Sequence, residues 1–308
     1  MTFSHHSHSG QFCGHAANTL EEVVQNAISK GMHTFCMTEH IPREIIDFYP
    51  EETDVHTETS LAQLFDDFYN EAHRLKKKYE QQIALFIGFE GEWIRHSSLG
   101  IIQGLLARYP VDMFVGSIHH MHTIPIDYDA DMYHRARNVS GGRDEQLYDD
   151  YFDEQLRMLQ ALKPPIIGHM DLIRLKSDDA ERSFKTWPET WSRIIRNLRY
   201  IADYGGVLEL NSSSIRKGMS EPYPKTEICR EFHAMGGRFT LSDDSHGIVH
   251  VGLNFSPTLA KAREAGITHL CHVVRSSTDH GLSPLPGFPH LFWKTVSIED
   301  VVRGLPNN

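Results

Sequence analysis

Seven segments of this chain run from an apolar, β-prone stretch into residues of the kind that binds metals: TFSHHSHSG, FCMTEH, ALFIGFE, MFVGSIHH, PPIIGHMD, GVLELN and RFTLSDDSH. Between them lie stretches with helical periodicity, so strand and helix signals alternate along the chain. Alternation of this kind predicts a parallel sheet with helices packed outside it. In such folds the C-terminal strand ends form the face where ligands bind. A histidine or acid at one strand end means little. The same event repeated around the sheet predicts a ring of imidazoles and carboxylates at one point.

The expected strands lie near residues 3–8, 33–38, 83–89, 112–118, 165–168, 207–210 and 239–241. The expected helices lie near residues 20–30, 60–79, 99–108, 146–162 and 189–204. Thr19 or Asn18 is a candidate N-cap for the first helix, with Glu21 and Glu22 in its first turn. The excursion from His119 to Glu145 is too long for a plain connection and reads as a functional loop. HLCHVV near residues 268–274 reads as an extra short strand. Ser297 is a candidate cap for a last helical turn. Seven strands with ligands at their ends favour a closed or nearly closed barrel over an open sheet, where ligands gather at one switch point. The whole chain, residues 1–308, reads as a single domain.

Composition narrows the partners. The net charge is −11, which argues against binding nucleic acid through phosphate contacts. It does not exclude a phosphate substrate, because bound divalent cations reverse the local field. No segment approaches the ~20 apolar residues needed to span a bilayer, and MTFSHHSHSG lacks the apolar core of a secretory signal. A cytoplasmic setting and no membrane partner are therefore expected. The four cysteines form no C-x-x-C pair and suggest no disulfide framework. Cys13, between His8 and His15, reads as a loop-packing residue, with a ligand or redox role as the alternative.

Histidine is over-represented, at 21 against 30 lysines and arginines together. About half read as surface scatter, including His33, His56, His73, His96, His233 and His280, which have no motif around them. The rest fall at strand ends. His6-x-His8 places two imidazoles on one face of a strand. His15 and His40 follow in the next loops. Glu90 ends the third strand as a potential bridging carboxylate. His119 and His169 end the fourth and fifth, and Asp244-x-His246 follows the seventh. Nine such groups exceed the needs of one cation, since catalytic zinc takes three protein ligands plus water. They suit three divalent ions: zinc first, with manganese, iron or cobalt compatible with a mixed nitrogen and oxygen set.

The series H-x-H, H, T-E-H, G-F-E, G-S-I-H-H, G-H-x-D and D-x-H resembles the PHP (polymerase and histidinol phosphatase) family. HSHSGQFCGHA, VGSIHHMHTIPIDYD, IGHMDLIR, LELNSSSIRKG and SDDSHG look like its histidinol-phosphatase branch of the fungal type. The likeness spans almost the whole chain. It implies a distorted (β/α)7 barrel with a trinuclear site: His6, His8, Glu90 and Asp244 at the first position, Glu90, His119 and His169 at the second, and His15, His40 and His246 at the third. Ser4 stands where many members carry an acid that would orient the first histidine pair. His5 and His120 adjoin the motif positions and are set aside in favour of His6 and His119.

The implied reaction is hydrolysis of L-histidinol phosphate to L-histidinol and phosphate, a step of histidine biosynthesis. Glu90, Asp244 and His246 are the catalytic candidates, acting with a hydroxide that bridges two cations. Arg174 and Arg216, each just after a strand end, are the candidates for holding the phosphate. Among His122, Asp127 and Asp129 of the long loop, an acid could receive the substrate's amino group. Oligomeric state is left open. The alternatives are a phosphoesterase for another phosphomonoester and an amidohydrolase-like enzyme, although no lysine ends a strand to supply a bridging carbamate. A DNA-processing phosphoesterase lacks support in an acidic chain without accessory segments. A metal store would need surface histidine tracts.

Overall fold

The computed structural model describes residues 1–275 and 282–306, so His280 lies outside the described residues. Its framework is parallel. Thr2–Ser4, Met32–Met37 and Ala84–Ile87 form one three-stranded sheet. Glu90–Glu92, Val115–Ser117, Ile166–Ile167, Val207–Asn211 and Arg238–Ser242 form a five-stranded sheet in that order. Two further parallel contacts join them: Ser7–His8 pairs with Ser245–His246, and His40 bridges to Glu90. The His5 N–H also donates to the Leu241 carbonyl at 3.2 Å. All these strands run in one direction, so their C-terminal ends share one face.

Side-chain alternation along the strands separates two cores. Phe35, Met37, Leu85, Ile87, Phe114, Ile167, Leu208, Leu210, Phe239 and Leu241 pack with the helices. Their alternate neighbours Cys36, Phe86, Met113, Val115, Ile166 and Val207 face the other way and form a separate cluster without helical residues. That second core is filled from His269–Arg275 and Phe288–Ser297, which pair antiparallel, with Ser283–Leu285 beside them. Cys271, Val273, Leu285, Leu291 and Trp293 are its contributions. The extra strand expected near 268–274 is therefore present, and it has a packing role.

The helices match expectation closely. Leu20–Ser29 begins at Thr19, whose side chain accepts from the Glu22 N–H while the Glu22 carboxylate accepts from the Thr19 N–H. Its buried face is Leu20, Val23, Val24 and Ala27. Glu58–Lys78, Ser98–Arg108, Asp144–Leu162 and Pro188–Tyr204 fall within two residues of their predicted bounds. Ser297 caps Ile298–Arg303. The long excursion differs: it holds a hairpin, His120–Met121 with Ile124–Pro125, and a helix at Ala130–Val139. Only Tyr133 and Ala136 of that helix are buried, so it has no apolar stripe to read. Among the described residues, no helix is long and apolar enough to cross a membrane. All four cysteines are free and buried.

Gly168 is where strand packing meets the polar face. A Cβ there would collide with Ser117 Oγ, lie 2.8 Å from Val115 Cγ1 and reach 3.5 Å from Glu209 Oε1. Gly168→Ala is expected to cost about 1–3 kcal/mol as an overpacking change, and the strand shift needed to clear Ser117 and Val115 should carry the adjoining His169 with it and weaken metal binding. Chemical denaturation with metal titration checks this, and unchanged stability with unchanged metal binding would show that the strands relax around the methyl group.

Candidate metal centre

The C-terminal strand ends bring all nine predicted ligand residues into one contiguous cluster. Ligand atoms of His6, His8 and Asp244 lie within 4.8 Å of one another, as do those of His6, Glu90 and His169, and those of His8, His40 and Glu90. A fourth group joins His15, His40 and His246 to Cys13.

Glu90 stands between two sets of imidazoles. Its Oε1 is 3.3 Å from His6 Nε2, 3.4 Å from His119 Nε2 and 2.9 Å from His169 Nε2. Its Oε2 is 3.5 Å from His8 Nε2 and 3.1 Å from His40 Nδ1. Asp244 Oδ1 is 3.8 Å from His6 Nε2 and 3.5 Å from His8 Nε2. A tetrahedral zinc with ligands at ~2.0–2.1 Å sets neighbouring donor atoms roughly 3.3–3.4 Å apart, so these spacings suit a cation between them.

Several approaches are short without being hydrogen bonds. His6 Nε2, both ring nitrogens of His8 and of His40, His119 Nδ1 and His169 Nδ1 are buried and lack an aligned partner among the described residues. Buried polar atoms are normally satisfied; of these, His6 Nε2, His8 Nε2 and His40 Nδ1 converge on Glu90, which fits a cation's coordination sphere.

Electrostatics divides the imidazoles. Burial opposes charge on His6, but Glu90, Glu209 and Asp244 outweigh it and hold the ring well above the usual histidine range. The same contest, decided by Glu90 and Glu92, raises His119 to about 9. Burial and the neighbouring imidazoles lower His8 to about 3, with Glu90 opposing. Burial likewise disfavours the charged form of Glu90, yet His6, His119, His169 and His40 hold it well below the carboxylate range. Asp244 is held down against burial by His6 and His246.

Three carboxylates that the sequence reading left without a role hold the far sides of the rings. Glu209 is completely buried; its oxygens lie 3.1 and 3.3 Å from His6 Nδ1, and Oε1 accepts from the His169 N–H at 2.6 Å and from Asn211 Nδ2 at 2.7 Å. Glu92 Oε1 is 2.9 Å from His119 Nδ1, and Glu92 Oε2 accepts from Arg43 Nε at 2.9 Å. Glu39 Oε2 is 3.5 Å from His8 Nδ1, while Oε1 accepts from the Ser9 N–H and hydroxyl. The signal for Glu92 was its spacing from Glu90, since i and i+2 share a strand face. The signal for Glu209 was one acid inside the otherwise apolar GVLEL. Ser4 receives the Asp243 N–H at 3.1 Å, so the carboxylate on His6 comes from Glu209 instead.

His5 and His120 stay outside the ligand groups. His5 Nδ1 meets Thr240 Oγ1 at 2.8 Å and its Nε2 accepts from the Val273 N–H at 3.1 Å. His120 is buried beside the Tyr49 ring.

A cavity of about 290 Å³ opens onto the cluster, and Tyr49, Glu51, Asp127, Tyr128, Arg216, Lys217 and His250 share its lining with the ligand residues. Arg216 donates from Nη2 to the Asp244 carbonyl at 3.0 Å. Asp244 itself adopts the left-handed region at φ 47°, a conformation a non-glycine residue keeps only when its surroundings hold it. Arg174 requires a correction. It is 1% exposed and absent from the cavity lining. Its guanidinium is committed to Asp171 Oδ2 at 2.9 Å and to the Glu221 and Pro222 carbonyls at 3.2 and 2.8 Å, above the Tyr223 ring. It braces the segment around Asp171 and Pro222 and does not line the cavity. Of the long-loop candidates, Asp127 lines the cavity, Asp129 caps the Ala130–Val139 helix, and His122 turns to Ser140 and Asp150.

Fold and cluster together define a parallel α/β protein with a buried, carboxylate-braced centre able to hold metal. Comparison with known proteins narrows that class. The PHP domain model matches residues 4–213. A Schizosaccharomyces pombe protein named as a probable histidinol-phosphatase is 43% identical over 283 residues, 91% of this chain and 92% of the relative. The Saccharomyces cerevisiae histidinol-phosphatase is 30% identical over 321 residues, 93% and 96% of the two chains. The solved structure of histidinol phosphate phosphatase from Lactococcus lactis subsp. lactis Il1403, complexed with zinc, L-histidinol and phosphate, superposes with a TM-score of 0.68 at 20% identity, covering 88% of this chain and 95% of that one. The chain belongs to the PHP-domain family, alongside these histidinol-phosphatases.

Glu209→Gln removes the carboxylate charge from behind His6 while keeping its size. Partners of this kind are worth 10–100-fold in metal affinity, so a loss of about that size is expected, with circular dichroism unchanged. Unaltered metal affinity would show that His6 is oriented by its backbone alone.

Proposed function

We propose that this chain is a metal-dependent histidinol-phosphatase, hydrolysing L-histidinol phosphate to L-histidinol and phosphate. The observation that carries the phosphoesterase reading is the Glu90 carboxylate set between two groups of imidazoles beneath a cavity that Arg216 and Lys217 also line. The substrate's identity is supported by the names of the fungal relatives, which match nearly the full length of the chain.

In this reading His6, His8, Glu90 and Asp244 hold one divalent ion, Glu90, His119 and His169 a second, and His15, His40 and His246 a third. Zinc is the first choice, and the zinc in the Lactococcus lactis protein supports it. Such ions, when bound, neutralise the phosphate dianion and lower the pKa of a bound water toward ~7. The protein's own part is placement. Glu209, Glu92 and Glu39 fix the rings of His6, His119 and His8 so that one nitrogen of each faces the centre. Arg216, anchored on the Asp244 carbonyl, offers its remaining donors to the phosphate, and Lys217 adds charge beside it. The P–O bond to the histidinol oxygen breaks as a water oxygen bonds to phosphorus in line with it, and one of the water's protons ends on the departing histidinol oxygen. Asp127, with a buried oxygen lacking a partner among the described residues, is suited to the substrate's amino group.

The parallel pairings that run from Ser7–His8 through the two sheets to Ser245–His246 fit the distorted (β/α)7 barrel expected for residues 1–308 as one domain. A biosynthetic role also fits a cytoplasmic location.

The test compares L-histidinol phosphate, glycerol phosphate and p-nitrophenyl phosphate under one metal condition. A site with polar partners for the amine and imidazole should favour the first by orders of magnitude in kcat/KM. Arg216→Ala should lower that kcat/KM by about 1.5–3 kcal/mol, the scale of charged hydrogen bonds, with Arg216→Lys recovering only part. Equal efficiency on all three esters would reject the named substrate while leaving a phosphoesterase. Turnover of an N-acyl amide alone would favour the amidohydrolase-like reading.

A further inference from the structure

The turn that follows the His6-x-His8 strand carries a donor outside the nine predicted ligands. Cys13 is 5% exposed. Its N–H donates to the Ser9 carbonyl at 2.9 Å and its carbonyl accepts from the Ala16 N–H at 3.1 Å, so the backbone around it is fixed. Its Sγ lies 3.3 Å from His15 Nε2. Ligand atoms of Cys13, His15, His40 and His246 all fall within 4.8 Å of one another.

One feature of the neighbouring rings points to a cation there. Both ring nitrogens of His40 are buried; Nδ1 lies 3.1 Å from Glu90 Oε2, while Nε2 has no aligned partner among the described residues. With zinc–sulfur at ~2.3 Å and zinc–nitrogen at ~2.0–2.1 Å, tetrahedral sulfur and nitrogen donors stand roughly 3.5 Å apart. The Cys13–His15 separation is close to that value.

We infer that Cys13 is a thiolate ligand of the ion held by His15, His40 and His246, making this position one-sulfur, three-nitrogen while the others are nitrogen and oxygen. The inference rests on the metal-centre reading under Proposed function. On coordination the thiol's proton leaves to solvent and its sulfur lone pair bonds the cation. The consequence is a division of labour. A soft thiolate favours zinc or cobalt over manganese. Four protein donors also complete a tetrahedron, so substrate or water reaches this ion only by raising its coordination to five.

Cobalt(II) substitution tests it, because a cobalt–thiolate bond adds a near-ultraviolet charge-transfer absorption that histidine and carboxylate ligands do not. The cobalt-loaded protein should show that band alongside visible ligand-field absorption. Cys13→Ser should abolish the band, keep the visible absorption of the other positions, and release its most weakly held cation at least about tenfold more readily. Cys36→Ala, which alters a thiol in the apolar second core, should retain the band. Cobalt bound without the band in the unmodified protein, or a band that persists in Cys13→Ser, overturns the thiolate assignment and leaves the metal centre standing. Failure to bind cobalt at all overturns both.

Discussion

Glu90 is a buried carboxylate in contact with five imidazoles, and the rest of the polar face is arranged around it. A charge in that position is costly unless matched. Here burial works against Glu90, and His6, His119, His169 and His40 outweigh it. The same carboxylate raises His6 and His119 while burial and neighbouring rings keep His8 neutral. The imidazoles therefore compete for one anion, and many of their nitrogens are left without aligned partners. Divalent cations bound there would resolve that competition for the nitrogens that face Glu90.

The fold serves this arrangement through alternation along parallel strands. Val207 fills the second core while Glu209, two residues on, reaches His6 and His169. Apolar residues occupy the middle of each strand, and ligands follow once the strand has left the core. The antiparallel strands His269–Arg275 and Phe288–Ser297 fill the apolar side of that inner face, away from the ligands. Gly168 shows how little room remains between the two zones, since one methyl group there meets Ser117, Val115 and Glu209 together.

Much of this was legible because strand ends combine two independent signals, an apolar run and a ligand residue immediately after it. The order of strands and helices and the convergence of the nine candidate ligand residues follow from that pattern. Other parts depend on contacts between distant segments. Glu209 stands out as an acid within GVLEL, but its partner His6 is 203 residues away and only the folded chain pairs them. Cys13 sits in a turn whose folding over His15 and His40 only the three-dimensional packing reveals. Arg174 differs for the opposite reason: Asp171, three residues earlier, binds it locally, and it lies outside the cavity lining. The Ala130–Val139 helix stayed hidden because it buries too little to leave a periodic stripe.

The most direct test of the centre is anomalous diffraction at the zinc edge from crystals of protein purified without chelators, with elemental analysis of the same batch. Three peaks per chain are expected. Two should flank the Glu90 carboxylate, and the third should lie among His15, His40 and His246. No peak, or a single peak remote from Glu90 with one equivalent of metal in solution, would contradict the account.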